Sequence, residues 1–435
     1  TAAVGTVPVI SWGVSTSFAS FPVSSCMNTA NVQINNTSTS VNLKDVLPQL
    51  LRLNDSRDLY KYNSSAPSLP DQAYYSYASG IGATNNPMAS YNTASYDVDQ
   101  VPRGAFPLQQ FNIAHYGQDA DGVITVIDQL LLAVGTTNAA AALGEWWIVN
   151  VVALISEPIF CSPFTFAGDL EFNAQGLLGV NNMAMNFTVD STLSRFLSNS
   201  NALVSVVAGD TRVTPANSSS NLFINSRVLL KFLSTSDTDR LQTKNIVPFM
   251  DFPRYITSRS NTLPAAVGNV VGNATVLTSD NIQLNQLPDY FIICARKKMS
   301  SQGITDADAF LKINSATFNL NNMSGLLSTA TPQDLWKISM KNGSTQSWAE
   351  FSGQSWVNAT VGAIVGDGGA NVATTGSLLV VSPTDLSLPS YLAPGSLGNF
   401  QLSLTLSVSN QSSADVDTEI VVIAVNSGFM VTQMG

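Results

Sequence analysis

The chain has 435 residues, of which 45% are hydrophobic and only 11% charged, with a formal net charge of −10. Just 19 Lys plus Arg argue against a protein that reads nucleic acid by neutralising phosphates. The ordinary hydrophobic content argues against disorder, which pairs low hydrophobicity with high net charge. No run approaches 18 apolar residues, so no membrane-spanning helix is expected.

The opening stretch "TAAVGTVPVISWG" has neither a basic signal-peptide region nor an initiator Met, and its start at Thr1 suggests processing or trimming. Residues 43–62, "LKDVLPQLLRLNDSRDLYKY", form a weak helical pattern that Pro48 interrupts. Strand patterns then dominate: "EWWIVNVVALI" (145–155), "MAMNFTV" (183–189) and "NLFINSRVLLKFL" (221–233). The polar segment 234–245 is the expected boundary between two halves. A faint internal echo, Asn181-Asn182-Met183 against Asn321-Asn322-Met323, agrees with a duplication.

Beyond the boundary, strands are expected at 245–250, 289–299, 310–320, 377–382 and 418–425. "TPQDLWKISMKNG" (331–343) predicts a helix, with Thr331 as N-cap, Pro332 first, Asp334 third and Gly343 as the left-handed stop. The Gly-, Ala- and Val-rich stretch 353–376 is a candidate exposed loop. "GNFQLSLTLSVSNQ" (398–411) alternates strictly, with Phe400, Leu402, Leu404, Leu406 and Val408 on one side and only Ser, Thr and Gln on the other. An exposed strand face usually carries charge, and this one carries none. Many strands separated by polar loops indicate an antiparallel all-β protein rather than βαβ units.

Little in the chain points to catalysis. His115, the one histidine, is expected in a loop with a structural role; no GxSxG surrounds any serine. Cys26, Cys161 and Cys294 are odd in number and far apart, which suits buried free thiols in a reducing compartment. The acidic residues, including only five Glu, cluster nowhere, and "DADG" (119–122) and "GDGGA" (366–370) lack the rest of a calcium or phosphate loop and read as turns. N-x-S/T sequons, among them Asn63, Asn186, Asn217, Asn322 and Asn358, occur about as often as chance allows in so Asn- and Ser/Thr-rich a chain. Trp336, Trp348 and Trp356 read as core anchors, with a sugar-stacking platform as the alternative.

The block "QLPDYFIICARKKM" and "DADAFLKINSATFNLNNMSGLLSTATPQDLWKISMKNGSTQSWAEFSG" (286–353) resembles the second jelly roll of double jelly-roll major capsid proteins of polinton-like viruses, virophages and larger eukaryotic DNA viruses. Shorter likenesses in the first half are "NPMASY" (86–91), "VPRGAF" (101–106) and "SEPIFCSPF" (156–164). The resemblance implies two consecutive eight-stranded antiparallel jelly rolls, at 41–240 and 241–435. The Ser/Thr/Val-rich segment 1–40, with little helical or amphipathic character, is expected to lie outside the barrels as an arm. The resemblance also implies a homotrimeric, pseudo-hexagonal capsomer tiling an icosahedral virion shell assembled inside the infected cell. Penton and minor capsid proteins would be partners. No catalytic, cofactor-binding or metal residues come with it. The low charge then reads as surface covered by other copies, because neutral hydroxyls and amides avoid the desolvation cost of burying charge. The competing readings are a secreted β-sandwich adhesin or lectin and a carbohydrate-active β-sandwich enzyme.

Overall fold

A computed structural model describes residues 16–54, 58–59, 61–62, 65–68, 108–118, 124–131, 145–165, 177–190, 195–199, 226–232, 243–266, 272–303, 306–358, 369–388, 392–412 and 414–433. The first half contains β1 (Thr16–Phe18), α1 (Pro22–Ser25), β2 (Met27–Ile34), β3 (Thr37–Val41), α2 (Leu43–Leu51), β4 (Leu108–Gln118), β5 (Ile124–Leu131), β6 (Glu145–Ala153), β7 (Met183–Val189) and β8 (Leu197–Asn199). These strands form antiparallel sheets ordered β3-β2-β7, β5-β4-β6 and β1-β8.

Three expectations are corrected here. The arm proposed for 1–40 does not hold over 16–40: β2 is the central strand of its sheet and buries Ala30, Val32 and Ile34. Its alternating small and β-branched residues pack a core face, which an extra-barrel arm would not need. His115 lies within β4, opposite Asp128 and Trp147, and not in a loop. Pro48 sits inside α2 and does not end it. The helix survives because Val46, Leu47, Leu50 and Leu51 are all buried, each contributing about 1.5–3 kcal/mol, comparable with or above the ordinary cost of an interior proline.

The strand expected at 221–233 also fails where it is described. Residues 226–232 have no regular structure and are exposed throughout, including Leu229 and Phe232. The expected boundary 234–245 falls mostly outside the described residues.

The second half contains β9 (Lys244–Asp251), β10 (Arg254–Leu263), β11 (Thr275–Thr278), β12 (Ile282–Gln286), β13 (Tyr290–Lys297), β14 (Lys312–Leu320), β15 (Met323–Leu326), α3 (Pro332–Lys341), α4 (Trp348–Phe351), β16 (Gln354–Asn358), β17 (Gly369–Ala373), β18 (Leu379–Val381), β19 (Leu397–Ser409) and β20 (Val416–Gln433). One sheet runs β10-β20-β13-β18, and the facing sheet runs β11-β19-β14-β15 with β12 also on β19. Two antiparallel sheets facing each other across a core are the layers of a jelly roll. The stretch 353–376, read as a loop, includes the β16–β17 hairpin, whose Gln354 pairs with Ala373.

α3 starts as its sequence dictates. Thr331 Oγ1 accepts the Asp334 N–H, and the Asp334 carboxylate accepts the Thr331 N–H, a complete capping box. Leu335 is buried and Ile338 packs beside it on the barrel core. Gly343 takes φ +97° just past the helix end.

β20 is the longest strand. Its first part lies between β10 and β13; beyond Val425 it continues as a two-stranded ribbon with β9, from Asn426–Asp251 to Gln433–Lys244. Gly428 permits this, because a Cβ there would stand 2.7 Å from the ring of Phe249 directly opposite.

In the β10-β20-β13-β18 sheet, β13, β18 and the middle of β20 are buried on both faces, while Ile256 and Ser258 of the edge strand β10 are exposed. Phe291, Ile293, Val381, Ile420 and Val422 point into the second-half core with the inward residues of β14 and β19. The alternate residues Ile292, Cys294, Val380, Val421, Ile423 and Val425 join a second core with Val46, Leu47, Leu50 and Leu51 of α2 and Val32 and Ile34 of β2. A strand buried on both sides reads as a continuous apolar run, and "IVVIAV" does so. The two halves therefore share one sheet as their common wall.

Candidate functional site

Among the described residues no group of three or more His, Cys, Asp or Glu is placed to hold a metal ion. The three cysteines are free and buried. Burial pushes the Cys26 thiol up to about 12 and that of Cys294 to about 11, so neither is a nucleophile near neutral pH. Trp336 and Trp348 meet edge to face at 5.8 Å and pack on the second-half core, while the Trp336 Nε1–H donates to the Gln346 carbonyl at 2.9 Å. Both are core anchors, as expected. Trp356 lies in β16. Among the described residues, buried polar contacts and open sheet faces stand out.

The first is internal, where α2 lies on the shared wall. Asp45, in the first turn of α2, accepts from Arg296 Nη2 at 2.8 Å and from Arg254 Nε at 2.6 Å. Arg296, almost fully buried, also donates through Nε to Glu419 at 2.8 Å. Burial pushes the Asp45 carboxyl upward, but Arg296 and Arg254 outweigh it and hold the group below the usual aspartate range. Burial likewise opposes the Arg296 charge, and the surrounding groups, Glu419 foremost with Asp45 among them, together more than offset it, so this guanidinium stays protonated. At the other end of α2, the buried Arg52 donates to the Pro48 carbonyl at 2.7 Å and to that of Asp308, and stacks over Phe310 with its carbon 4.9 Å from the ring centre. Gln49 Nε2 reaches the Cys294 sulfur at 3.5 Å. The helix is thus fastened at both ends to strands far away in sequence.

A second, half-buried carboxylate ties α1 to residue 157 of the first half. Glu157 accepts from the Val23 and Ser24 N–H groups at 2.9 and 2.8 Å and from the Ser24 hydroxyl at 2.5 Å. Burial raises its pKa despite these three bonds.

The third feature is the outer face of the β11/β12-β19-β14 sheet. The outward positions line up in cross-strand rows: Thr278, Thr405 and Thr317 in one, Val276, Ser407 and Ser315 in the next. Gln283 lies opposite Gln401. All of these are exposed or half-buried and none is charged; Lys312 and Asp280 lie only at the margins. The alternation of β19 is therefore real, with an apolar core side and a neutral, open outer side.

A smaller apolar strip lies on the β9/β20 ribbon, where Ile246 is opposite Val431 and Phe429 opposite Pro248; Ile246, Phe429 and Val431 are exposed. Sequence reasoning missed the charged cluster under α2. The signal was Arg296 and Glu419 set inside otherwise apolar strands, where an unpaired charge would be prohibitive.

Residues 1–233 match the family model for the Sputnik virophage major capsid protein first domain. The chain belongs to the virophage major capsid protein family. Residues 252–428 match the model for the major capsid protein V20 C-terminal domain. The chain is 25% identical over 427 residues to the putative capsid protein V20 of Sputnik virophage, covering 95% of this chain and 63% of that protein. It thus spans somewhat less than two thirds of that relative's length. Among solved structures it is similar to a chain of the Sputnik virophage structure, with TM-score 0.70 and 23% identity over 99% of this chain and 77% of that one. It is also similar to the mavirus major capsid protein, with TM-score 0.63 and 14% identity over 96% and 79% of the two chains. The fold is the double jelly roll of virophage capsid proteins, as the sequence led us to expect. No helix among the described residues is long and apolar enough to cross a membrane.

Proposed function

We propose that this chain is the building block of a virion shell: three copies form a pseudo-hexagonal capsomer, and capsomers tile an icosahedral lattice. The observation that carries the reading is the pair of family matches, a first capsid domain over 1–233 followed by a C-terminal capsid domain over 252–428. The shared wall supports it, since a capsomer needs both barrels of a chain held as one rigid unit. We read the two halves as jelly rolls meeting near residues 234–245, with the first extended by β1–β3 and any arm confined to the residues before them. The role is structural, with no catalytic residue and no cofactor. Its partners are other copies of itself, penton and minor capsid proteins, and it makes no sequence-specific contact with nucleic acid. Trp336 and Trp348 are partly buried and pack against the core, which weakens a glycan-binding reading.

The test is the solution mass by light scattering after size exclusion, with electron microscopy of the same peak. A species near three times 46.1 kDa, hexagonal in projection, is expected. A chain that is monomeric at every concentration tried contradicts the capsomer reading.

A further inference from the structure

We infer that residues 226–232 are a processing site for an endopeptidase that cuts after Arg or Lys, and that the two pieces stay together as one folded protein. The inference goes beyond the capsid reading and does not depend on it. Three observations lead there.

First, the segment is open to a protease as it stands. Such enzymes bind the chain as an extended strand, so a bond inside a helix or sheet is cut only when that element opens. Residues 226–232 have no regular structure and are exposed throughout, with Phe232 87% exposed. No hydrogen bond or ion pair ties them to another described residue. Exposed segments of this kind are where nicking concentrates.

Second, the segment carries the residues that direct such an enzyme. Arg227 and Lys231 are both exposed, and each can place a cation in a specificity pocket lined by a carboxylate. Among the described residues the other basic side chains stand in helices, strands or turns, or have bonded backbones. Lys298 is of the last kind: its N–H donates to the Asp417 carbonyl and its own carbonyl accepts from Ser301, both at 2.9 Å.

Third, the cut falls between halves that are fastened elsewhere. Asp45, ahead of it, pairs with Arg254 and Arg296 behind it. The Arg52 carbonyl accepts from the Thr345 N–H at 3.1 Å and from its hydroxyl at 2.8 Å. Ser162 Oγ accepts the Met250 N–H at 3.1 Å and donates to the Met250 carbonyl at 2.9 Å. Both pieces also line the core on the shared wall. Cutting removes the covalent tether and leaves these contacts in place.

The step is a hydrolysis. Water adds across the Arg227–Val228 or Lys231–Phe232 peptide bond and the C–N bond breaks. The hydroxyl goes to the carbonyl carbon and the protons to the nitrogen and solvent, leaving a carboxylate on the first piece and an amine on the second.

The experiment is brief digestion of the full chain with trypsin, read by mass spectrometry and by size exclusion in native buffer and in guanidinium. The expected first products end at Arg227 or Lys231 and begin at Val228 or Phe232. They elute together in native buffer and separate in guanidinium. A chain that resists, or is first cut elsewhere, overturns the site; pieces that separate in native buffer overturn the two-piece form. The variant Arg227→Gln/Lys231→Gln changes only exposed side chains. It should lose intact chain roughly tenfold more slowly, with unchanged circular dichroism. A rate within about twofold of the unvaried chain overturns the assignment.

Discussion

The two sheets of the second half bury one face each in the same core and differ in what they turn outward. Through β20, β13 and β18 the first sheet presents Ile, Val and Cys, with Arg296 and Glu419 locked between strands and helix, and this part is sealed by α2 and β2 of the same chain. The β11/β12-β19-β14 sheet presents Thr, Ser and Gln and is open. A contact made once, during folding, uses apolar area and a fully paired charge cluster. A face left open to water uses neutral polar groups, which stay hydrated without an apolar partner. The difference lies in what each face has to cover it.

The largest effect on this comparison should come from Arg296→Met, which leaves the buried Glu419 without its cation and Asp45 with Arg254 alone. A loss of about 3–5 kcal/mol is expected in urea unfolding; a loss under about 1 kcal/mol would mean that the cluster does not fasten the halves. Asp45→Asn should cost roughly 1.5–3 kcal/mol at neutral pH, the usual value of hydrogen bonds to charged groups. The folded Asp45 carboxyl lies below its ordinary value of 3.8, so its stabilisation is complete above that pH and is lost as pH falls through the lower folded value. The gap between the unvaried chain and the Asn variant should therefore close in acid, and unfolding series from pH 7 down to about 2 would read it.

Glu157 should behave oppositely, because burial raises its pKa: its penalty is full at neutral pH and relieved as pH falls through the folded value. A smaller effect is expected from Val421→Thr, which puts a hydroxyl on the sealed face and should cost about 1–3 kcal/mol. The mirror change on the open face, Thr405→Val, should alter unfolding by no more than about 0.5 kcal/mol. Equal costs for this last pair would erase the distinction between the faces.

Much of this was legible in the sequence. Alternation fixed β19 to within two residues, and the apolar runs located β9, β13, β14 and β18. The capping pattern placed α3, because Thr331, Pro332 and Asp334 act locally. What was illegible depends on partners distant in the chain. The expected strand stopped at 425, and the extension of β20 through "NSGF" depends on Phe249 lying opposite Gly428. α2 reads as broken at Pro48 until its buried face finds the shared wall. The apolar pattern of "VLLKF" promised a strand, yet residues 226–232 pair with none of the described strands, because periodicity specifies a surface to bury and not a neighbour. The charge cluster joins residues 45, 254, 296 and 419, and no local window contains it.

The shared wall also sets an order of events at the ribosome. Residues 421, 423, 425 and 430 of β20 complete the core that α2 and β2 begin, although they are made long after them. A nascent chain therefore carries an unfinished first half until that strand has emerged. The two halves cannot then fold one after the other as independent domains: the earlier waits for the later, and its apolar wall stays uncovered in the meantime.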